Sequence, residues 1–235
     1  MDISRKVSST RPKFWISIAG GLGLWFLTSA PLLAAGDSTA SAATQGGSFF
    51  WYLSRTSGLV GYLLLFLSVC LGLAIKTRLL DPLVPRWQNF DLHQFTALLA
   101  TAFIGLHIFS LLGDHYVGFT LDSLLIPLRA SYQPGWVSVG IVAFYLFLIV
   151  TFSFYIRSRI GQKTWRALHY LTFAVFFMSL LHGLFAGSDT EAWAKFLYWG
   201  TAVVVTAVTG LRMWDSGSQG PASAHPPGRR GAASS

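Results

Sequence analysis

Four histidines, His93, His107, His169 and His182, stand inside long apolar stretches of this chain. Ionisable side chains are costly within a membrane-spanning segment, so each is a functional residue by default. Any one alone is equally well explained by a hydrogen bond to a neighbouring helix. The joint pattern resists that reading. His93 and His107 are 14 residues apart, and His169 and His182 are 13 apart. At a rise of about 1.5 Å per residue, each step covers roughly 20 Å, which puts one imidazole near each face of a bilayer. Two helices running in the same direction would then hold two levels of two imidazoles, which is what two stacked haems with paired axial histidines require. Zinc or copper needs three or four ligands converging within a few ångströms. Chlorophyll-type pigments take single histidines. Cys70 is the sole cysteine, so the covalent C-x-x-C-H attachment is excluded and the haems are of b type.

Rotation about the helix axis tests this pattern. A 14-residue step turns about 1400°, some 40° short of four turns, so His93 and His107 share a face. A 13-residue step leaves His182 about 140° from His169 on an ideal helix. The expectation is that a wide macrocycle reached from either flank, or a locally tightened turn, absorbs the difference.

The elements that carry these residues follow from composition. Of 235 residues, 53% are apolar and 11% charged, against about a quarter charged in soluble domains. Six stretches free of Asp, Glu, Lys and Arg approach or exceed the length of a transmembrane helix: 14–35, 58–75, 95–112, 135–156, 167–187 and 196–211. The fold class expected is an all-α integral membrane protein, a six-helix bundle with two haems between its third and fifth helices. One span separates those two helices, so they run parallel. His93 pairs with His169 at one level and His107 with His182 at the other.

The net charge of +8 is a topology signal and requires no nucleic acid. With the N-terminus inside, all but Arg55, Arg129 and Lys195 of the 17 basic residues fall on the cytoplasmic side, giving an N-in, C-in multi-pass membrane protein. Residues 1–13 are the cytoplasmic N-terminus. The 14–35 stretch is either a retained first helix or a signal peptide cleaved after Ala42, which leaves five spans. Residues 215–235 read as a disordered cytoplasmic tail. His225 lies in that tail, and His115 reads as a surface residue.

Neighbouring residues suit the two levels. Asp91 with Gln94 makes a capping-box pattern that starts the third span just before His93. Gly105 leaves room beside His107 for a flat macrocycle or serves helix packing. Arg55 lies on the outer side before the second span, where it either reaches the outer haem's propionates or is an interfacial charge. Arg86 and Arg166 reach the inner haem or merely follow the positive-inside bias. Phe173, Phe176 and Phe177 lie between the two levels and either shorten the electron's path or fill space.

The SRTSGLVGYLLLFLSVCLGL segment, the stretch from His93 to His107 and the HYLTFAVFFMSLLHG run together resemble the transmembrane domain of the ferric reductases and NADPH oxidases. The resemblance covers roughly residues 50–212. It implies that His93 and His169 ligate an inner haem, that His107 and His182 ligate an outer one, and that Arg55 matches the family's arginine near the outer haem. Full-length members continue into a cytoplasmic FAD and NADPH domain, for which these residues leave no room. The chain is therefore more similar to stand-alone bacterial members and, more loosely, to the membrane haem subunit of the periplasmic methionine sulfoxide reductase system.

The function implied is an electron wire. A separate donor, a flavoprotein or membrane quinol, would reduce the inner haem, and an acceptor at the outer face would take the electron at a haem edge. No catalytic residue is expected beyond the cofactor sites. Two other classes compete: a quinol-oxidising cytochrome b subunit of a larger complex, and a non-redox accessory membrane subunit.

Overall fold

The computed structural model describes residues 39–78, 80–114, 117–187 and 192–218. The span expected at 14–35, His115 and His225 lie outside them. The chain falls into two units, Met1–Ala40 and Ser41–Ser235, and the architecture below is that of the second.

Short local stops punctuate the apolar sequence and set the helix ends. Helix α1, Thr39–Thr77, ends at Arg78, whose φ of 59° leaves the helical region. Helix α2, Arg86–Leu112, begins directly after Pro85, since proline pushes the residue before it out of the helical region. This places the start of α2 upstream of Asp91 and Gln94. Those two residues are interior to the helix and do not cap it, and His93 lies in the second turn. The short helix α3, Leu121–Leu125, is closed by the reciprocal bonds of Thr120 and Ser123. Helix α4, Pro134–Ser153, opens with proline at its first position, where the missing N–H costs nothing. After α5, Arg157–Ile160, Gly161 turns the chain into α6, Gln162–Phe185, at a φ of 82°, a conformation glycine tolerates. Helix α7, Ala192–Ser218, completes the order and continues four residues beyond Trp214.

Five segments are long and apolar enough to cross a bilayer: Phe49–Thr77 of α1, then α2, α4 and α6, and Ala192–Leu211 of α7. No strand occurs among the described residues. The chain is an all-helical, multi-pass membrane protein. Large apolar side chains such as Leu67, Ile149, Phe196 and Val203 remain exposed, as expected of helices whose outer surface meets lipid.

Packing is uneven in a way that positions the site. α4 and α6 run against each other over much of their length, and α6 also meets α7. α2 and α6 scarcely touch through their backbones. One core cluster joins α1, α6 and α7 through Tyr62, Val69, Leu73, Phe176, Leu180, Tyr198 and Val205. The Tyr62 hydroxyl meets Thr201 Oγ1 at 2.5 Å and ties α1 to α7 inside it. A second cluster joins α1, α2, α4 and α6 through Leu65, Ala100, Phe147 and Val175.

Candidate functional site

The gap between α2 and α6 is bridged by the four histidines. The His93 and His169 rings have centroids 6.0 Å apart at an interplanar angle of 79°. The His107 and His182 rings lie 6.4 Å apart at 78°. All four residues are thus assembled as two pairs, each with one ring from α2 and one from α6. The 140° offset between His169 and His182 does not keep either ring from its partner. Because the two backbones stand apart, the rings approach across open space and not through a fixed helix contact.

The spacing has a chemical meaning. A metal–imidazole bond is about 2.0–2.1 Å long, so two rings sharing one ion through their far nitrogens have centres about 6.4 Å apart. Both observed separations lie within a few tenths of an ångström of that. Among the described residues no group of three or more His, Cys, Asp or Glu side chains converges. Each level offers two imidazoles, a donor set that could serve a metal group bringing further donors of its own.

Three of the rings are oriented by one repeated device. His107 Nδ1 donates to the Ser54 carbonyl at 2.9 Å, His93 Nδ1 to the Ser68 carbonyl at 2.8 Å, and His182 Nδ1 to the Trp136 carbonyl at 2.9 Å. A carbonyl only accepts, so the proton sits on Nδ1 and the lone pair of Nε2 is left free. That is the arrangement that prepares a histidine for metal ligation. In each case the residue four positions after the carbonyl is glycine: Gly58, Gly72 and Gly140. A Cβ at Gly58 would lie 2.8 Å from His107 Nδ1, and one at Gly140 would lie 2.5 Å from His182 Nδ1. At Gly72 it would stand 3.3 Å from His93 Cε1. The missing side chains are what allow imidazoles from other helices onto helical carbonyls.

His169 is held differently. The Trp165 indole, one turn earlier on α6, stacks on its ring at 5.2 Å and 27°.

Each pair opens into a cavity. The larger, about 280 Å³, is lined by His107 and His182 with Arg55, Tyr62, Asp114 and Tyr198. The smaller, about 180 Å³, is lined by His93 and His169 with Phe90, Phe154 and Trp165. Arg55 lies within α1, not ahead of it, and its guanidinium stands 4.2 Å over the Trp51 ring, a favourable cation–π arrangement.

Other expected neighbours fall elsewhere. Arg86 and Arg166 line neither cavity. Phe173 and Phe176 belong to the cluster with α1 and α7 and, like Phe177, line neither cavity. Gly105 faces open space. The glycines that matter are Gly58, Gly72 and Gly140. Their signal in the sequence is a Ser or Trp followed four residues later by glycine in three apolar segments.

A five-span bundle with paired histidines between two parallel helices defines a membrane protein with two histidine-lined cavities. The family model described as ferric reductase like transmembrane component matches residues 57–180, more than half of the 235-residue chain. The chain belongs to the ferric reductase-like transmembrane family, and so to the membrane components of electron transfer. The matched stretch contains His93, His107 and His169, while Arg55 and His182 fall two residues outside its ends. No curated protein and no solved structure matches the chain.

Proposed function

We propose that this protein is a transmembrane b-type cytochrome with two haems that carries electrons across a bacterial plasma membrane. The observation that carries the reading is the pair of ring separations, 6.0 and 6.4 Å, each suited to one iron between two imidazoles. Bound haem supplies reversible one-electron chemistry at iron. The chain's own residues do the rest. His93 and His169 would hold the haem at one level, and His107 and His182 would hold it at the other. Ser54, Ser68 and Trp136 hold three of those rings in the ligating tautomer. Arg55 places a cation in the larger cavity, where a propionate carboxylate would be neutralised. A haem held between two such imidazoles would exchange electrons with a partner at its exposed edge.

The distribution of basic residues among the loops supports a cytoplasmic His93/His169 level, with the N- and C-termini inside. The donor, a flavoprotein or membrane quinol, meets that face, and the acceptor meets the outer one. The test is a dithionite-reduced minus oxidised spectrum of the purified chain, with haem quantified per polypeptide. The expected result is two low-spin b haems, falling to one in His107→Ala and in His182→Ala. A colourless protein that is folded and grown with haem available would overturn the reading.

A further inference from the structure

The two cavities meet at a single layer. Leu65 and Phe147 are the residues that line both of them. They form one buried cluster with Ala100 and Val175, and the four are between 0 and 3% exposed. Along its own helix each sits about midway between the two histidine levels. Leu65 is seven residues from both Gly58 and Gly72, the two glycines under the α2 histidines. Ala100 is seven residues from both His93 and His107. Phe147 is seven residues from Gly140, which abuts His182, and seven from Phe154, which lines the smaller cavity. Val175 lies between His169 and His182 on α6. Seven residues are nearly two full turns and roughly 10 Å of rise. Four helices therefore present one side chain each at the same height, halfway between the histidine levels.

Resting on the haem reading above, we propose that this layer is the partition between the two cofactor sites and that the Phe147 ring is the medium through which an electron crosses it. The step balances simply. One electron leaves ferrous iron at the His93/His169 level, which becomes ferric, and reduces ferric iron at the His107/His182 level; no bond forms or breaks and no proton moves. Leu65, Ala100 and Val175 offer only saturated carbon. Phe147 contributes the layer's one π system, whose low-lying empty orbitals couple donor and acceptor better than an aliphatic side chain does. The small Ala100 leaves space for that ring. Phe176 is equally buried but stacks on Tyr62 at 5.9 Å, within the cluster shared with α7, and lines neither cavity. Phe147 is thus a positioning residue for electron transfer, and Phe176 is structural.

The experiment uses the full chain in lipid nanodiscs with Cys70→Ala and Ser158→Cys, the new thiol carrying a photoexcitable ruthenium complex. One electron is injected by a flash. Its redistribution between the haems is followed optically, with the His107→Ala spectrum used to resolve them. Haem content and midpoint potentials are measured first for every variant. Phe147→Leu should keep two haems and unchanged potentials yet slow the inter-haem step several-fold. Phe147→Tyr, which keeps the ring, and Phe176→Leu should both match the parent. A Phe147→Leu rate equal to the parent's, or equal slowing in Phe176→Leu, overturns the proposal. If Phe147→Leu does not fold, Phe147→Met, ringless and conformationally adaptable, is judged by the same criterion. Fewer than two haems in the parent chain defeats the proposed function itself, and this inference with it.

Discussion

The imidazole–carbonyl–glycine unit recurs three times, on α1 twice and on α4 once, and it makes the glycines as consequential as the histidines they face. A methyl group at Gly140 would stand 2.5 Å from His182 Nδ1. Nothing flexible lies there to give way except the ring that must stay in place. Gly140→Ala is therefore expected to displace His182 and cost one haem of the two, while leaving the other site intact. Gly105→Ala provides the contrast. Its added methyl group meets nothing within 4 Å, and the haem content should be unchanged. Pyridine haemochrome assay and the reduced spectrum of both variants check this. His169 lacks the carbonyl device and relies on Trp165, so its ring is steered by stacking, a weaker and less directional restraint than a buried hydrogen bond.

At the scale of the helices, the bundle is built so that two neighbours do not close on each other. α4 packs along α6, and α1 is tied to α7, so that α2 and α6 are held apart by their surroundings. The Tyr62–Thr201 bond is one of those ties. Thr201 also donates to the Tyr198 carbonyl at 2.8 Å, so removing the Tyr62 hydroxyl leaves no orphaned polar atom. Tyr62→Phe should then cost only about 0.5–1.5 kcal/mol, the net value of one hydrogen bond, at the low end of that range in a membrane. A small fall in the thermal midpoint in detergent, with haem content retained, is the expected result. Loss of a haem instead would show that this tie also governs the gap. Proline placement governs the element boundaries. Pro85 and Pro134 begin α2 and α4, which is why the Asp91 and Gln94 pattern, sound as a local signal, lies inside a helix that had already started.

For the molecule as a whole, orientation in the membrane is the property that would turn the two histidine levels into the directed path proposed above. The positive-inside distribution predicts that the α4–α6 connection faces the cytoplasm and the α3–α4 connection faces out. Ser158 and Ser131 lie exposed in those two connections. With Cys70 replaced by alanine, a membrane-impermeant thiol reagent should label Ser131→Cys in intact cells and Ser158→Cys only after the membrane is opened. The reverse pattern would invert the proposed direction of electron flow.

The sequence alone determined the membrane class, the five described spans and the two-level placement of the histidines. All of these depend on quantities local to one segment: apolar length, charge, and a rise of about 1.5 Å per residue. The family resemblance rested on the same local patterns. Three things only the tertiary structure decided. Ideal helix geometry left His182 turned about 140° from His169, and only the open gap between α2 and α6 lets both rings meet their partners. The worth of Gly58, Gly72 and Gly140 became visible only when a ring from another helix was found above each carbonyl. The aromatic side chain at the midpoint came from α4 at Phe147, not from the phenylalanines of α6. Helical periodicity says which residues share a face of their own helix, but which neighbour that face meets is settled by packing among segments far apart in the chain.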